Sequence, residues 1–110
     1  MRFSRIDFSK YKPMYRMFHV HDGAFSFWGA IAVELGFEIS EQGMKISDEE
    51  GNFVTYAGML RRFEDFDKYS DKEVEYLADF LDYKYFKREL SYTQLQKLAL
   101  LGPAYIPEYW

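Results

Sequence analysis

The chain contains no cysteine, only two histidines and three prolines, and no long apolar run. Without cysteine there is no disulfide, no thiolate nucleophile and no cysteine-ligated zinc. That absence fits a reducing compartment, and a cytoplasmic setting is expected. The most apolar stretch, around Phe27 to Val33, is too short to span a bilayer, so no membrane association is expected. Met1 to Asp7 lacks the apolar run of a signal peptide. An excess of positive charge is also missing: 14 Lys and Arg stand against 18 Asp and Glu, for a net charge of −4. Nucleic-acid affinity comes mainly from phosphate neutralisation, so general nucleic-acid binding is not expected.

What the chain does have is rings. It carries 11 Phe, 10 Tyr and 2 Trp, or 21% aromatic residues. At 110 residues, one globular domain is expected, burying roughly two-thirds of its unfolded surface. A core of that size needs fewer rings, so some should be exposed, and exposed rings are what binding surfaces use. Charge is segregated along the chain. Residues 1–21 sum to +4, residues 22–82 to −10 and residues 83–110 to +2. The acidic middle reads as a solvated surface; a phosphate mimic is the sharper alternative.

Phe3 to Phe8 is short and mixed, and reads as extended. Pro13 then disfavours helix at Lys12. Met14 to His21 has strand composition, with Tyr15, Met17, His19 and His21 on one face and Met14, Arg16, Phe18 and Val20 on the other. Asp22 or Ser26 caps a helix running to about Leu35, with Gly36 as its left-handed stop. The only polar stripe of that helix is Ser26, Ala30 and Glu34, so it should be buried on most sides. Gly29 within it suggests close packing by another segment. A small meander follows over Phe37–Ser40, Met44–Ser47 and Phe53–Thr55. Thr55 caps a helix in which Tyr56, Met59, Leu60, Phe63 and Phe66 recur at helical spacing. Ser70 and Glu73 form a capping box for a helix to about Leu90, and Ser91 with Gln94 form another for a helix ended by Gly102-Pro103. The expected fold is α+β: a small antiparallel sheet from the N-terminal half packed on a central apolar helix, with three helices in the C-terminal half.

Three constellations carry chemistry. His19 and His21, two apart on a strand, point the same way and can grip one divalent metal ion, with Asp22 at the strand end and Glu34 nearby. Glu34 stands in the last turn of its helix, where the dipole disfavours a carboxylate. The bland alternative is a partly buried histidine pair bonded to carboxylates or backbone. Arg2, Arg5, Lys10, Tyr11, Lys12, Tyr15 and Arg16 interleave base and ring, the pattern of a single-stranded nucleic-acid binder. The Ser70–Leu90 helix shows two apolar stripes where a surface helix needs one. Val74, Leu77, Ala78, Leu81 and Tyr85 form the first; Tyr76, Phe80, Tyr83, Phe86 and Leu90 form the second. The second is covered by the closing segment or meets a partner. That closing segment, with Tyr105, Tyr109 and Trp110, either folds back as a lid or offers its rings to a partner.

Two resemblances to known motifs fail on spacing. Asp48-Glu49-Glu50-Gly51-Asn52 has glycine at the fourth position, where a calcium-binding loop needs it at the sixth. Leu90 to Ile106 has a faint helix-turn-helix look, but Pro103 and Pro107 interrupt it and no basic residue follows Lys97. No convincing catalytic set is present. The expected function is non-catalytic protein binding, to a protein partner or a second copy, through Tyr76, Phe80, Tyr83, Phe86, Tyr105, Tyr109 and Trp110. In composition the chain resembles small phage or mobile-element antagonists of host proteins and immunity proteins. The alternatives are a metal-dependent enzyme using His19, His21 and Glu34, and a single-stranded nucleic-acid binder through the N-terminal segment.

Overall fold

The computed structural model describes residues 1–15, 20–21, 23–40, 45–108 and 110, with the backbone alone at 20 and 21. Phe3–Arg5 and Phe8–Lys10 are 3₁₀ turns, not the extended segment expected. Side chains from distant elements satisfy the backbone here. Asp65 accepts the Phe3 N–H at 2.6 Å, and Gln96 donates to the Phe3 and Ile6 carbonyls at 2.8 and 2.9 Å. With those groups paired, no strand partner is needed.

Strand β1 (Lys12–Pro13), β2 (Val20–His21) and β3 (Ala24–Phe25) form one sheet in the order β1-β3-β2. The β2–β3 pair is antiparallel, but β1 joins β3 in parallel. Of the strand expected over Met14–His21, Met14 and Tyr15 lie in a loop and only Val20–His21 is strand; residues 16–19 lie outside the described residues. Met14 is nonetheless tied to the sheet, through its N–H on the Phe25 carbonyl at 3.0 Å.

Helix α1 (Phe27–Leu35) starts at Ser26, whose hydroxyl accepts the Gly29 N–H at 2.9 Å, and stops at Gly36 in the left-handed conformation. Asp22, the other expected cap, lies outside the described residues. Every residue from Phe27 to Ala32 is buried. Burial on all sides explains the thin polar stripe and places α1 along the core axis. Strands β4 (Glu38–Ile39) and β5 (Ile46–Ser47) pair antiparallel, and Phe53 bridges to Ser47 where a third strand was expected.

Helix α2 (Tyr56–Leu60) is capped by Thr55. It stops at Leu60, short of Phe63 and Phe66. The Arg61 guanidinium donates to the Phe66 carbonyl at 2.9 Å and to Asp71 at 2.7 Å, folding the chain into a 3₁₀ turn over Glu64–Phe66. Both phenylalanines still reach the core, each meeting Phe3 edge-on at 5.3 Å. Helix α3 (Asp71–Lys87) and helix α4 (Tyr92–Leu101) each begin with the expected capping box. Helix α3 ends at Lys87, not Leu90. Arg88 takes a left-handed conformation (φ 59°) and donates to the Tyr15 carbonyl at 3.1 Å. Most buried residues of these elements form one cluster, to which α1, α2, α3 and α4 all contribute. The architecture is the α+β arrangement expected, and among the described residues no helix is long and apolar enough to cross a membrane.

Candidate functional site

Helix α3 faces two ways. Val74, Leu77, Ala78, Leu81 and Tyr85 are buried in the core, as the first stripe requires. On the second stripe the sequence sets Tyr76, Phe80 and Tyr83 one helical turn apart, so their rings stand in a row. Beyond Leu101 the chain turns at Gly102, makes a 3₁₀ turn over Pro103–Tyr105, and returns to that row. Trp110 meets the edges of Tyr76, Phe80 and Tyr83 at ring separations of 5.9, 5.5 and 5.3 Å. Its indole N–H donates to the Tyr76 hydroxyl at 2.9 Å. Edge-on ring contacts of this kind contribute about 0.5–1.5 kcal/mol each beyond area burial.

The closing segment thus acts as a lid on this row, and the lid is partial. Phe80 is only 1% exposed, so it lies beneath the surface and cannot be part of an accessible face. Tyr76 remains 40% exposed, Phe86 47% and Tyr105 67%. Tyr83 and Trp110 are half-buried. Tyr109 lies outside the described residues. What remains accessible on α3 is a tier of rings, Tyr76, Tyr83 and Phe86 with Trp110 on it, and Tyr105 is a further exposed ring of the closing segment.

Two lysines frame the tier. The Lys84 ammonium lies 5.8 Å from the Phe80 ring centre, and that of Lys87 lies 5.1 Å from the Tyr83 ring centre. Both stand in the last turn of α3, where their charge also suits the helix dipole. Their four-residue spacing from Phe80 and Tyr83 was the available signal for a second role over those rings. Phe53, 66% exposed in the β4–β5 region, and Leu101, half exposed at the end of α4, are large apolar residues that the sequence did not single out.

The opposite flank of α3 is acidic and engaged. Trp28 donates its indole N–H to Asp82 at 3.0 Å, and Tyr56 stacks flat on Trp28 at 4.2 Å. Burial raises the Asp82 carboxyl above its ordinary range, outweighing the Trp28 hydrogen bond. The Tyr56 phenol is pushed up to about 12 by burial and by Asp82.

The proposed metal set does not assemble among the described residues. His19 lies outside them, and only the backbone of His21 is described. Glu34 is already engaged: the Tyr11 hydroxyl donates to it, and Lys10 pairs with it at 2.9 Å. Burial pushes the Glu34 carboxyl up, but those two partners outweigh burial and hold it below the usual range. Its odd place at a helix C-terminus is thereby accounted for by a tie between α1 and the N-terminal segment. No group of three His, Asp or Glu residues able to hold a metal ion occurs among the described residues.

In the N-terminal segment the rings pack inward, while Arg2, Arg5, Lys10 and Lys12 stay exposed. Tyr11 packs edge-on against Phe25 at 5.2 Å, and Tyr15 stacks on Tyr85 at 5.4 Å. Arg2 pairs with Glu64 and Lys10 with Glu34. Arg16 lies outside the described residues. No protein-family model matches this chain, and no curated protein or solved structure is significantly similar to it.

Proposed function

We propose that the chain is a non-catalytic protein-binding module whose working face is the ring tier of α3 and the closing segment. The observation that carries this reading is the placement of Trp110. A row of rings flanked by lysines and covered by one surface indole has the composition of a seat for an aromatic anchor. Tyr76 and Phe86 on the same helix are exposed, as is Tyr105 in the closing segment. Exposed rings grouped this way exceed what a monomer's surface needs.

The test is capture of a partner from the native host, read by mass spectrometry. The unsubstituted chain should retain one protein in stoichiometric amount. Phe86→Glu should lose it while melting at the same temperature as the parent, and Tyr83→Glu should lose it with melting lowered by the missing Trp110 contact. Phe80→Glu is unsuitable, because Phe80 is buried and the substitution would unfold the monomer. Retention unaffected by both surface substitutions would reject this face.

A further inference from the structure

The seat under Trp110 has its own chemistry. It offers three ring edges and one hydroxyl acceptor, Tyr76 Oη, to a single indole. Its charge is positive on balance. Lys72, Lys84 and Lys87 share the face with Glu73 and Asp79, and the Glu73 carboxylate is turned away to accept the Ser70 N–H at 3.0 Å. The lysines at positions 84 and 87 stand over the same two rings that Trp110 touches. An indole is therefore the complement of this seat.

Resting on the protein-binding reading, we propose that the seat is a receptor for a tryptophan-bearing segment of a partner protein, and that Trp110 keeps it closed in the free chain. The closing segment runs only from Gly102 to Trp110, so its tryptophan faces the seat at a local concentration on the order of millimolar. A partner segment has to displace it. A seat closed nine-tenths of the time weakens the apparent affinity for an outside ligand about tenfold. Trp110 lies half-buried over Phe80, and neither belongs to the main core cluster, so its departure uncovers Phe80 and leaves that cluster closed.

The probe is a synthetic peptide with the sequence of residues 103–110, titrated into isotope-labelled chain and followed by NMR. Saturable shifts at Tyr76, Phe80 and Tyr83 are expected in the Trp110→Ala chain, with binding about tenfold weaker or worse to the unsubstituted chain. A peptide carrying Trp110→Ala should not bind. No shifts in Trp110→Ala, or equal affinity for both chains, overturns the proposal. Should Trp110→Ala fail to fold, the unsubstituted chain labelled with 5-fluorotryptophan serves instead. Excess peptide must then move the Trp110 resonance and leave that of Trp28 in place; an unmoved Trp110 resonance overturns the proposal. Dimerisation that Trp110→Ala abolishes would also overturn it, in favour of exchange between two copies. The underlying reading fails separately, through partner capture that Phe86→Glu leaves intact. If capture is lost in Phe86→Glu while the peptide finds no seat, the face stands and the latch falls.

Discussion

Gly102→Ala isolates the backbone turn on which the closing segment depends. Gly102 sits at φ 89° and ψ 173°, a region that is essentially reserved for glycine. Forcing alanine into it costs about 1–3 kcal/mol. A Cβ there would also overlap the Tyr69 hydroxyl and lie 2.9 Å from Tyr69 Cζ. Tyr69 is partly buried against the core, so its ring cannot simply swing away. Overpacking of that kind adds about 1–3 kcal/mol. The sum, about 2–6 kcal/mol, is a large part of the roughly 5–15 kcal/mol that holds a small domain together. Gly36→Ala is the control. Gly36 is also left-handed (φ 74°, ψ 22°), but nothing stands within 4 Å of its missing Cβ, so only about 1 kcal/mol of strain applies. Urea unfolding followed by circular dichroism should therefore rank Gly102→Ala well below Gly36→Ala. In a Tyr69→Ala background the steric part of the Gly102 effect should vanish, leaving the backbone part. Equal losses at the two glycines, or no coupling to Tyr69, would refute this reasoning.

Tyr92→Phe should cost about 1–3 kcal/mol in thermal melts, because the hydroxyl donates to the Phe25 carbonyl at 2.6 Å and accepts the Met14 N–H at 3.1 Å. Two aspartates should respond to pH with opposite sign. Burial raises the Asp65 carboxyl, but the N–H groups of Phe3 and Ser4 outweigh it and leave it lowered. Its stabilisation is complete above the ordinary carboxyl range near 4 and is lost as pH falls through the lowered value. The deficit of Asp65→Asn in urea titrations should then be full at pH 6 and shrink below about pH 4. Asp82 is raised, so its contribution is complete below the ordinary carboxyl value and is lost as pH rises through the raised one. Asp82→Asn keeps an acceptor for Trp28 and should gain on the parent as pH rises from 4 to 7; a loss over that interval would contradict the assignment.

The parts of the fold legible in the sequence are those governed by neighbours along the chain. Ser26, Thr55, Ser70 and Ser91 each cap the helix that follows, because a cap is a bond across three residues. The buried axis α1 was legible for the same local reason, its near-absence of polar side chains. The N-terminal turns were not, since Phe3 is held by Asp65 and Gln96, 62 and 93 residues away. At Phe63 and Phe66 the helical spacing marked the right side chains for the core and the wrong backbone, because Arg61 takes the Phe66 carbonyl. Glu34 was visible as misplaced, but Tyr11 and Lys10, its partners, carried no sign of it. The candidate face was half legible. Its two components, the second stripe of α3 and the rings of the closing segment, stood out separately. That one covers the other, taking Phe80 out of reach, depends on a contact spanning 34 residues between Tyr76 and Trp110.

The most direct measurement is a photo-crosslinking map on the otherwise unsubstituted chain in its native host. Benzoylphenylalanine is placed in turn at Tyr83, Phe86, Tyr105 and Phe53, the last being an exposed ring outside the tier. The ring-tier reading predicts one adduct of the same mass from positions 83, 86 and 105, and none from 53. An adduct from position 53 alone would contradict it and move the binding surface to the β4–β5 region.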